Sequence, residues 1–285
     1  MTSSQNNSSK HISLHNKFGL IVGVSNNRSI GWSIAESVLN AGSNIVITYK
    51  NPIWLKDLQI LQSKYDDLHS SSHLHDTGRI LAIYQYDVSD DKSIDNLCNH
   101  LIKHAENTQN ISLDFLVYTP AYANKSTLCG DFFNISRQDF LESLSISCYG
   151  LNALINNLHT NFAPKASIIA LSYYGSQKVV PNYDLMGISK AALESNVRYL
   201  AYYLGLKGTG IRANILSPGP IRTISSYGIA QFEKILTHAH KHSPIQANIT
   251  LDQIARTALY LLSDLSTAIT GSIHYVDNGQ NTMFF

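Results

Sequence analysis

Apolar residues in this chain fall into two alternating kinds of run. Phe18-Gly-Leu-Ile-Val-Gly-Val24 is unbroken and ends at glycine, the pattern of a strand buried on both faces. Ser29-Ile-Gly-Trp-Ser-Ile-Ala-Glu-Ser-Val-Leu39 then repeats its apolar positions at helical spacing and stops at Ala41-Gly42, a helix-ending signal. The alternation continues with a strand over Ser43 to Tyr49, a helix from Ile53 to Tyr65, a strand over Arg79 to Tyr86 and a helix from Asp91 to Ala105. Leu113 to Thr119, Ala166 to Ser172, Ile211 to Ser217 and Ser272 to Val276 predict further strands, with helical patterns between them. Strands separated by helices throughout require right-handed crossovers and a mainly parallel sheet covered on both faces. The predicted fold class is therefore α/β, a doubly wound Rossmann-type sheet of about seven strands in a single domain. That domain is expected to span residues 17 to 285, after a flexible tail of residues 1 to 16 rich in Ser and Asn. The polar stretch Leu68 to Thr77 is expected to be a surface loop.

Composition narrows the function classes. Of the 285 residues, 44% are hydrophobic and 14% charged, too apolar for a disordered chain and too evenly interrupted for a membrane protein. Twenty-one Lys and Arg against 20 Asp and Glu leave a formal charge of +1, so no net field gathers polyanions, and neither nucleic acid nor membrane is an expected partner. Three cysteines, Cys98, Cys129 and Cys148, are an odd number without metal-ligand spacing, which suits a reducing, cytoplasmic location. His238, His240 and His242 alternate along a helical pattern, a spacing that spreads them around the helix, and no metal site is expected.

In a doubly wound sheet the ligand crevice lies beyond the carboxyl ends of the strands. The first such turn, Gly23-Val-Ser-Asn-Asn-Arg-Ser-Ile-Gly-Trp32, allows a tight bend at Gly23 and starts a helix at Ser29 and Ile30, whose amides favour a pyrophosphate. Asp87-Val88 ends the third strand, where a carboxylate can accept from an adenine amino group. Tyr183 and Lys190 are seven residues apart, about 700° at about 100° each, and so fall on one helix face. A lysine there can bind ribose hydroxyls while its charge lowers the pKa of the neighbouring phenol. Tyr173 adds a second phenol at the same sheet edge. Each feature also has an ordinary structural explanation: a glycine turn, an aspartate opening a helix, an amphipathic helix face.

Taken in order, these segments resemble the enoyl-acyl-carrier-protein reductases of bacterial fatty-acid synthesis, a divergent branch of the short-chain dehydrogenases. The resemblance rests on Gly23 to Trp32, Leu171-Ser-Tyr173, Pro181-Asn-Tyr183, Met186-Gly187, Lys190-Ala-Ala-Leu-Glu194, Val197-Arg-Tyr-Leu200, Gly219-Pro-Ile-Arg-Thr223, Thr270-Gly271 and Val276-Asp277. It covers nearly the whole chain after about residue 17. The resemblance implies hydride reduction of a trans-2-enoyl thioester on acyl carrier protein by NADH or NADPH, in a homotetramer. It implies that Tyr183 stabilises the enolate, that Lys190 holds the nicotinamide ribose, and that Tyr173 lines the acyl pocket and Ala123 touches substrate. It also implies that Gly23, Ser29, Ile30, Asp87, Val88, Pro120, Ile221, Thr223, Ile224 and Ser225 surround the dinucleotide.

Departures from the family pattern sharpen the expectations. Tyr118-Thr-Pro-Ala-Tyr-Ala123 ends the fourth strand with Pro120, which lacks an amide donor. Lys50 stands where NADH-using members often carry Gln, and either meets a 2'-phosphate or is a solvated lysine at a strand end. With no acidic residue following until Asp57, the expectation is a modest preference for NADPH. Cations along the 229 to 248 stretch are thinned, which should weaken or relocate docking of an acidic carrier protein. Two rivals remain: a dinucleotide-binding regulator without turnover, and a short-chain dehydrogenase acting on a carbonyl. The latter needs Tyr four residues before Lys, and that position is Met186.

Overall fold

The computed structural model describes residues 12–70, 77–107 and 112–283. Seven strands form one parallel sheet: β1 (Phe18–Val22), β2 (Asn44–Tyr49), β3 (Ile80–Gln85), β4 (Leu113–Tyr118), β5 (Phe162–Leu171), β6 (Arg212–Pro218) and β7 (Ile273–Val276). Their spatial order is β3-β2-β1-β4-β5-β6-β7, every neighbouring pair parallel. After β3 the chain crosses back to lay β4 beside β1, so the order reverses there and a crevice opens at the carboxyl ends of β1 and β4.

Helices α1 (Ile30–Asn40), α2 (Leu55–Ser70) and α8 (Leu251–Leu262) cover one face. The other is covered by α3 (Asp91–Asn107), α5 (Gly150–Leu158) and α6 (Asp184–Leu206). Two further helices, α4 (Arg137–Leu144) and α7 (Phe232–His242), flank the crevice side. Successive β1 residues face opposite ways: Leu20 belongs to the core layer that contains Leu97, Leu154 and Val197, whereas Ile21 belongs to the layer that contains Ile34, Leu58 and Leu261. Both layers are dry, which explains why the strand reads as a continuous apolar run. Ser29 caps α1 by accepting from the Trp32 amide at 3.1 Å, and Thr250 with Gln253 forms a reciprocal capping box on α8.

Three boundaries differ from the sequence expectation, and one helix is irregular. The tail expected through residue 16 is too long: Leu14 is buried and its amide donates to the Ala41 carbonyl at 2.7 Å, so the fold takes in at least this residue, while residues 1–11 lie outside the described residues. α2 runs on through Leu68, His69 and Ser70, the first part of the expected loop; Leu68 packs on the core under it, and residues 71–76 lie outside the described residues. β5 begins at Phe162 rather than Ala166, because a bulge absorbs Pro164 and Lys165, the latter at φ 65, and the pairing register with β4 shifts across it. Between α4 and α5 the helix widens over Ser145–Tyr149, where the buried Tyr118 hydroxyl donates to the Ile146 carbonyl at 2.6 Å. No helix among the described residues is long and apolar enough to cross a membrane.

Candidate active site

A cavity of about 850 Å³ opens at the carboxyl ends of the strands. Gly23, Ser29 and Ile30 form one wall, Ala123, Tyr173, Tyr183 and Lys190 another, and Ile221, Thr223, Ile224 and Ser225 a third. Eleven expected residues thus converge on one space. Asp87, Val88, Lys50 and Pro120 are not on its walls. Val88 is buried in the core, and Pro120 packs beneath Gly23, 3.2 Å from where a Cβ would sit. That Cβ would also meet the Thr119 hydroxyl at 2.6 Å, and Gly23 has φ +87, so both space and backbone demand glycine at this turn. The wall beside α1 is therefore open backbone against a helix N-terminus, a fit for a pyrophosphate.

Tyr183 sits immediately before α6, between Asn182 at φ 66 and Asp184 at φ 25, a strained pair of turns. Neighbouring loops hold this turn: Asn182 donates to the Ala230 carbonyl at 3.0 Å, and Asp184 accepts from the Gly130 amide at 3.0 Å. The Tyr183 ring packs edge-to-face on Tyr173, centroids 4.9 Å apart, and lies so close over Gly175 that a Cβ there would meet it at 2.6 Å. Lys190 is buried, and its ammonium donates to the Leu171 carbonyl at 2.7 Å, pinning it at the end of β5.

The electrostatics overturn one expectation. The Tyr183 phenol is not acidified: burial first, and the charge of Glu194 second, push it well above the ordinary phenol range. Burial likewise raises Tyr173, with Tyr174 and Tyr183 adding to the effect. Lys190 is pulled down to about 8 by burial, against the opposing effects of Glu194 and Cys148. The site thus presents a neutral phenol that can donate, beside an ammonium near its titration point.

Lys50 requires a second correction. Its ammonium lies 3.1 Å from the Asp87 carboxylate, so a negative charge does stand near it; β2 and β3 are adjacent and bring together two residues far apart in sequence. Partial burial raises the Asp87 carboxyl, but hydrogen bonds from Ser89 and the Lys50 charge outweigh it and hold the group below its usual value. On α7, His238 and His242 are one turn apart and stack at 4.1 Å rather than spreading around the helix. Among the described residues no group of three His, Cys, Asp or Glu side chains is placed to hold a metal.

Sequence reasoning missed several participants. Tyr122, Leu128, Phe232 and Ile235 also line the cavity and make it largely apolar. The Tyr122 backbone is clasped at both ends: its carbonyl accepts from Ser143 at 2.7 Å and Ser147 at 3.1 Å, and its amide donates to Ser147 at 3.0 Å. Ser143 and Ser147 are four residues apart and share a helix face, but nothing in the sequence says that this face meets the Tyr122 backbone.

A Rossmann sheet whose crevice carries a buried Tyr–Lys pair defines a dinucleotide-binding reductase of the short-chain dehydrogenase type. The spacing of that pair, with Met186 rather than tyrosine one turn before Lys190, marks a divergent branch of the class. The family model for Enoyl-(Acyl carrier protein) reductase matches residues 23–281, and the chain belongs to that family. It is 40% identical over 268 residues to an enoyl-acyl-carrier-protein reductase (NADH), FabI, of Rickettsia typhi, covering 94% of this chain and 95% of that protein. The crystal structure of the Anaplasma phagocytophilum reductase in complex with NAD matches with TM-score 0.84 and 37% identity, covering 95% of this chain and 96% of that one. The Bacillus cereus reductase with NADP+ and an indole naphthyridinone matches with TM-score 0.86 and 30% identity, covering 96% and 100%.

Proposed function

We propose that this chain reduces the 2,3 double bond of a trans-2-enoyl thioester carried on acyl carrier protein, with a reduced nicotinamide dinucleotide as hydride donor. The observation that carries this reading is the convergence of a protonated Tyr183 phenol and the Lys190 ammonium on one apolar cavity, with Met186 lining it at the position a carbonyl reductase gives to its tyrosine. The dinucleotide supplies a hydride to the β-carbon. Tyr183 then donates a hydrogen bond to the thioester oxygen as negative charge collects there, and its high proton affinity keeps the phenol a donor rather than an acid that ionises. Lys190 binds ribose hydroxyls from the floor of the cavity, and Tyr173 and Ala123 shape the acyl wall. The pyrophosphate is held at the N-terminus of α1 by the Ile30 amide and the Ser29 side chain, with Gly23 giving it room; the Gly23 and Ser29 amides themselves donate to the Thr48 hydroxyl at 3.1 Å and the Asn26 carbonyl at 2.9 Å. Ile221, Thr223, Ile224 and Ser225 lie toward the nicotinamide end. Asp87 stands toward the adenine, the buried Val88 supports that strand end from the core, and Pro120 acts through its packing under Gly23. Purified protein given a crotonyl thioester and reduced cofactor should consume the nicotinamide absorbance; no consumption would leave a binding protein without turnover.

NADH is the favoured donor in this reading, because the cation that would greet a 2'-phosphate is already paired with Asp87. Both side chains are more than a third exposed, and such pairs contribute about 0.2–1 kcal/mol, so the effect is at most about five-fold. Asp87→Asn should release Lys50 and raise kcat/KM for NADPH relative to NADH by up to that factor, an effect that fades with salt. A ratio unmoved in the variant contradicts the role given to the pair.

The reaction is assigned to the cytoplasm, in keeping with three free cysteines. Arg222 is held by Glu233 at 2.8 and 3.0 Å, which leaves Lys125 at the cavity wall as a cation for an acidic carrier protein. A homotetramer is the assembly we assign; α6 offers a surface for self-association, where Tyr199, Tyr202, Tyr203 and Leu206 are each 60% or more exposed at spacings of three and four, a contiguous stripe of large side chains. Sedimentation should give four chains for the native protein and fewer for Tyr202→Glu/Tyr203→Glu. A native monomer would contradict it.

A further inference from the structure

Glu194 is a buried carboxylate that the reaction as described does not use. It lies on α6 one turn beyond Lys190, and among the described residues no cation lies within ion-pair distance of it. Instead it gathers three donors from a single short turn. Ser172 and Ser176 each donate a hydroxyl to Oε1 at 2.6 Å, and Gln177 donates its amide to Oε2 at 3.2 Å. That turn leaves β5 and carries Tyr173, whose ring meets Tyr183 edge-to-face. Lys190 grips the residue just before it, through the Leu171 carbonyl. One face of α6 therefore holds both ends of the segment that forms the acyl wall.

A carboxylate is costly to bury, and three neutral donors only partly compensate it. Glutamine could accept from the two serines at its oxygen but would set a donor against the Gln177 amide, so only a carboxylate accepts from all three. Its charge also reaches Lys190, whose ammonium it favours. The ionisable groups around Lys190 are Glu194 on its own helix, Cys148 on the widened turn and the phenols of Tyr183 and Tyr173. Of these only Glu194 carries a carboxyl group.

We propose that Glu194 is a positioning residue of the reductase site: it clamps the 172–177 turn so that Tyr173 stays against Tyr183, and it places a negative charge one helical turn from Lys190. The proposal rests on the reductase reading above. The charge acts on both members of the pair in the useful direction, favouring the lysine ammonium and disfavouring the tyrosinate. Without it, burial would act on Lys190 with only the smaller effect of Cys148 against it, and the ammonium would be lost at lower pH.

The test is direct titration of NADH into Glu194→Gln across the pH range, alongside steady-state rates with a crotonyl thioester. In the wild type, affinity should decline as pH rises through about 8. In Glu194→Gln the midpoint of that decline should move down by roughly one pH unit, and kcat should fall roughly ten-fold. Ser176→Ala/Gln177→Ala loosens the clamp but keeps the charge, so kcat should fall several-fold while the midpoint stays put. A Glu194→Gln protein that melts earlier yet keeps the wild-type midpoint and kcat would make Glu194 merely structural and overturn the proposal. If Glu194→Gln does not fold, the double variant decides alone: unchanged kcat there overturns the clamp. NADH binding is read without turnover, so a chain that binds NADH with the shifted midpoint but reduces no thioester would fail the reductase reading and not the charge coupling.

Discussion

Tyr183→Phe should lower kcat by roughly 10²-fold or more while the dissociation constant for NADH stays within about two-fold of wild type. The asymmetry follows from where the hydroxyl acts. The ring's packing is unchanged in phenylalanine, since the contacts with Tyr173 and Gly175 are made by ring carbons. The lost group is a neutral donor, kept protonated by burial and by Glu194, that meets charge developing on the thioester oxygen. An interaction made only in the transition state appears in kcat and in kcat/KM alike. Stopped-flow single turnovers with a crotonyl thioester would measure it, and a rate within a factor of about three of wild type would remove Tyr183 from the chemistry.

Lys190→Met should weaken NADH binding by roughly 10- to 100-fold, the range for losing a buried charged donor of about 1.5–3 kcal/mol. Methionine fills much of the same space, so the loss reports the ammonium rather than a cavity. The pH dependence gives a second signature. Binding to the ribose needs the ammonium, and the free protein loses that proton near 8. Affinity should therefore be full below about 8 and fall by up to ten-fold per pH unit above it. Lys190→Met should show weak binding with no such decline. Folding stability has the opposite slope: the unfolded lysine, at 10.5, binds a proton the folded one has lost, so between about 8 and 10.5 this residue favours folding more as pH rises. A wild-type affinity that stays flat through pH 9.5 would show that the charge of Lys190 is not what holds the cofactor.

The alternation of runs was legible because both faces of the sheet are covered, so β1 is an unbroken apolar run and β2 and β4 are mostly apolar, broken by Asn44 and Thr48 in one and Asp114 in the other. Legibility fails where a residue's role depends on a partner far along the chain. Lys50 looked like a free cation because Asp87 is 37 positions away, yet adjacent strands set the two side by side. Tyr183 and Lys190 could be placed together by helical spacing, since Tyr183 caps α6 and Lys190 lies on it, and both line one cavity. The direction of the phenol's shift could not, because it depends on how deeply the ring is buried and on where the Glu194 charge lies. Pro164 and Lys165 concealed the start of β5, since a bulge looks locally like a loop. Ser172, Ser176 and Gln177 look like an ordinary polar turn until folding aims all three at one carboxylate.

The most direct measurement is the fate of deuterium from NADH labelled at its transferable position, with a trans-2-enoyl thioester as substrate and ordinary water as solvent. Conjugate reduction with a neutral Tyr183 donor at the thioester oxygen should place deuterium on the β-carbon of the saturated product and a solvent proton on the α-carbon. Deuterium on the carbon of a newly formed alcohol, or bound NADH that transfers no label to any thioester, would contradict it.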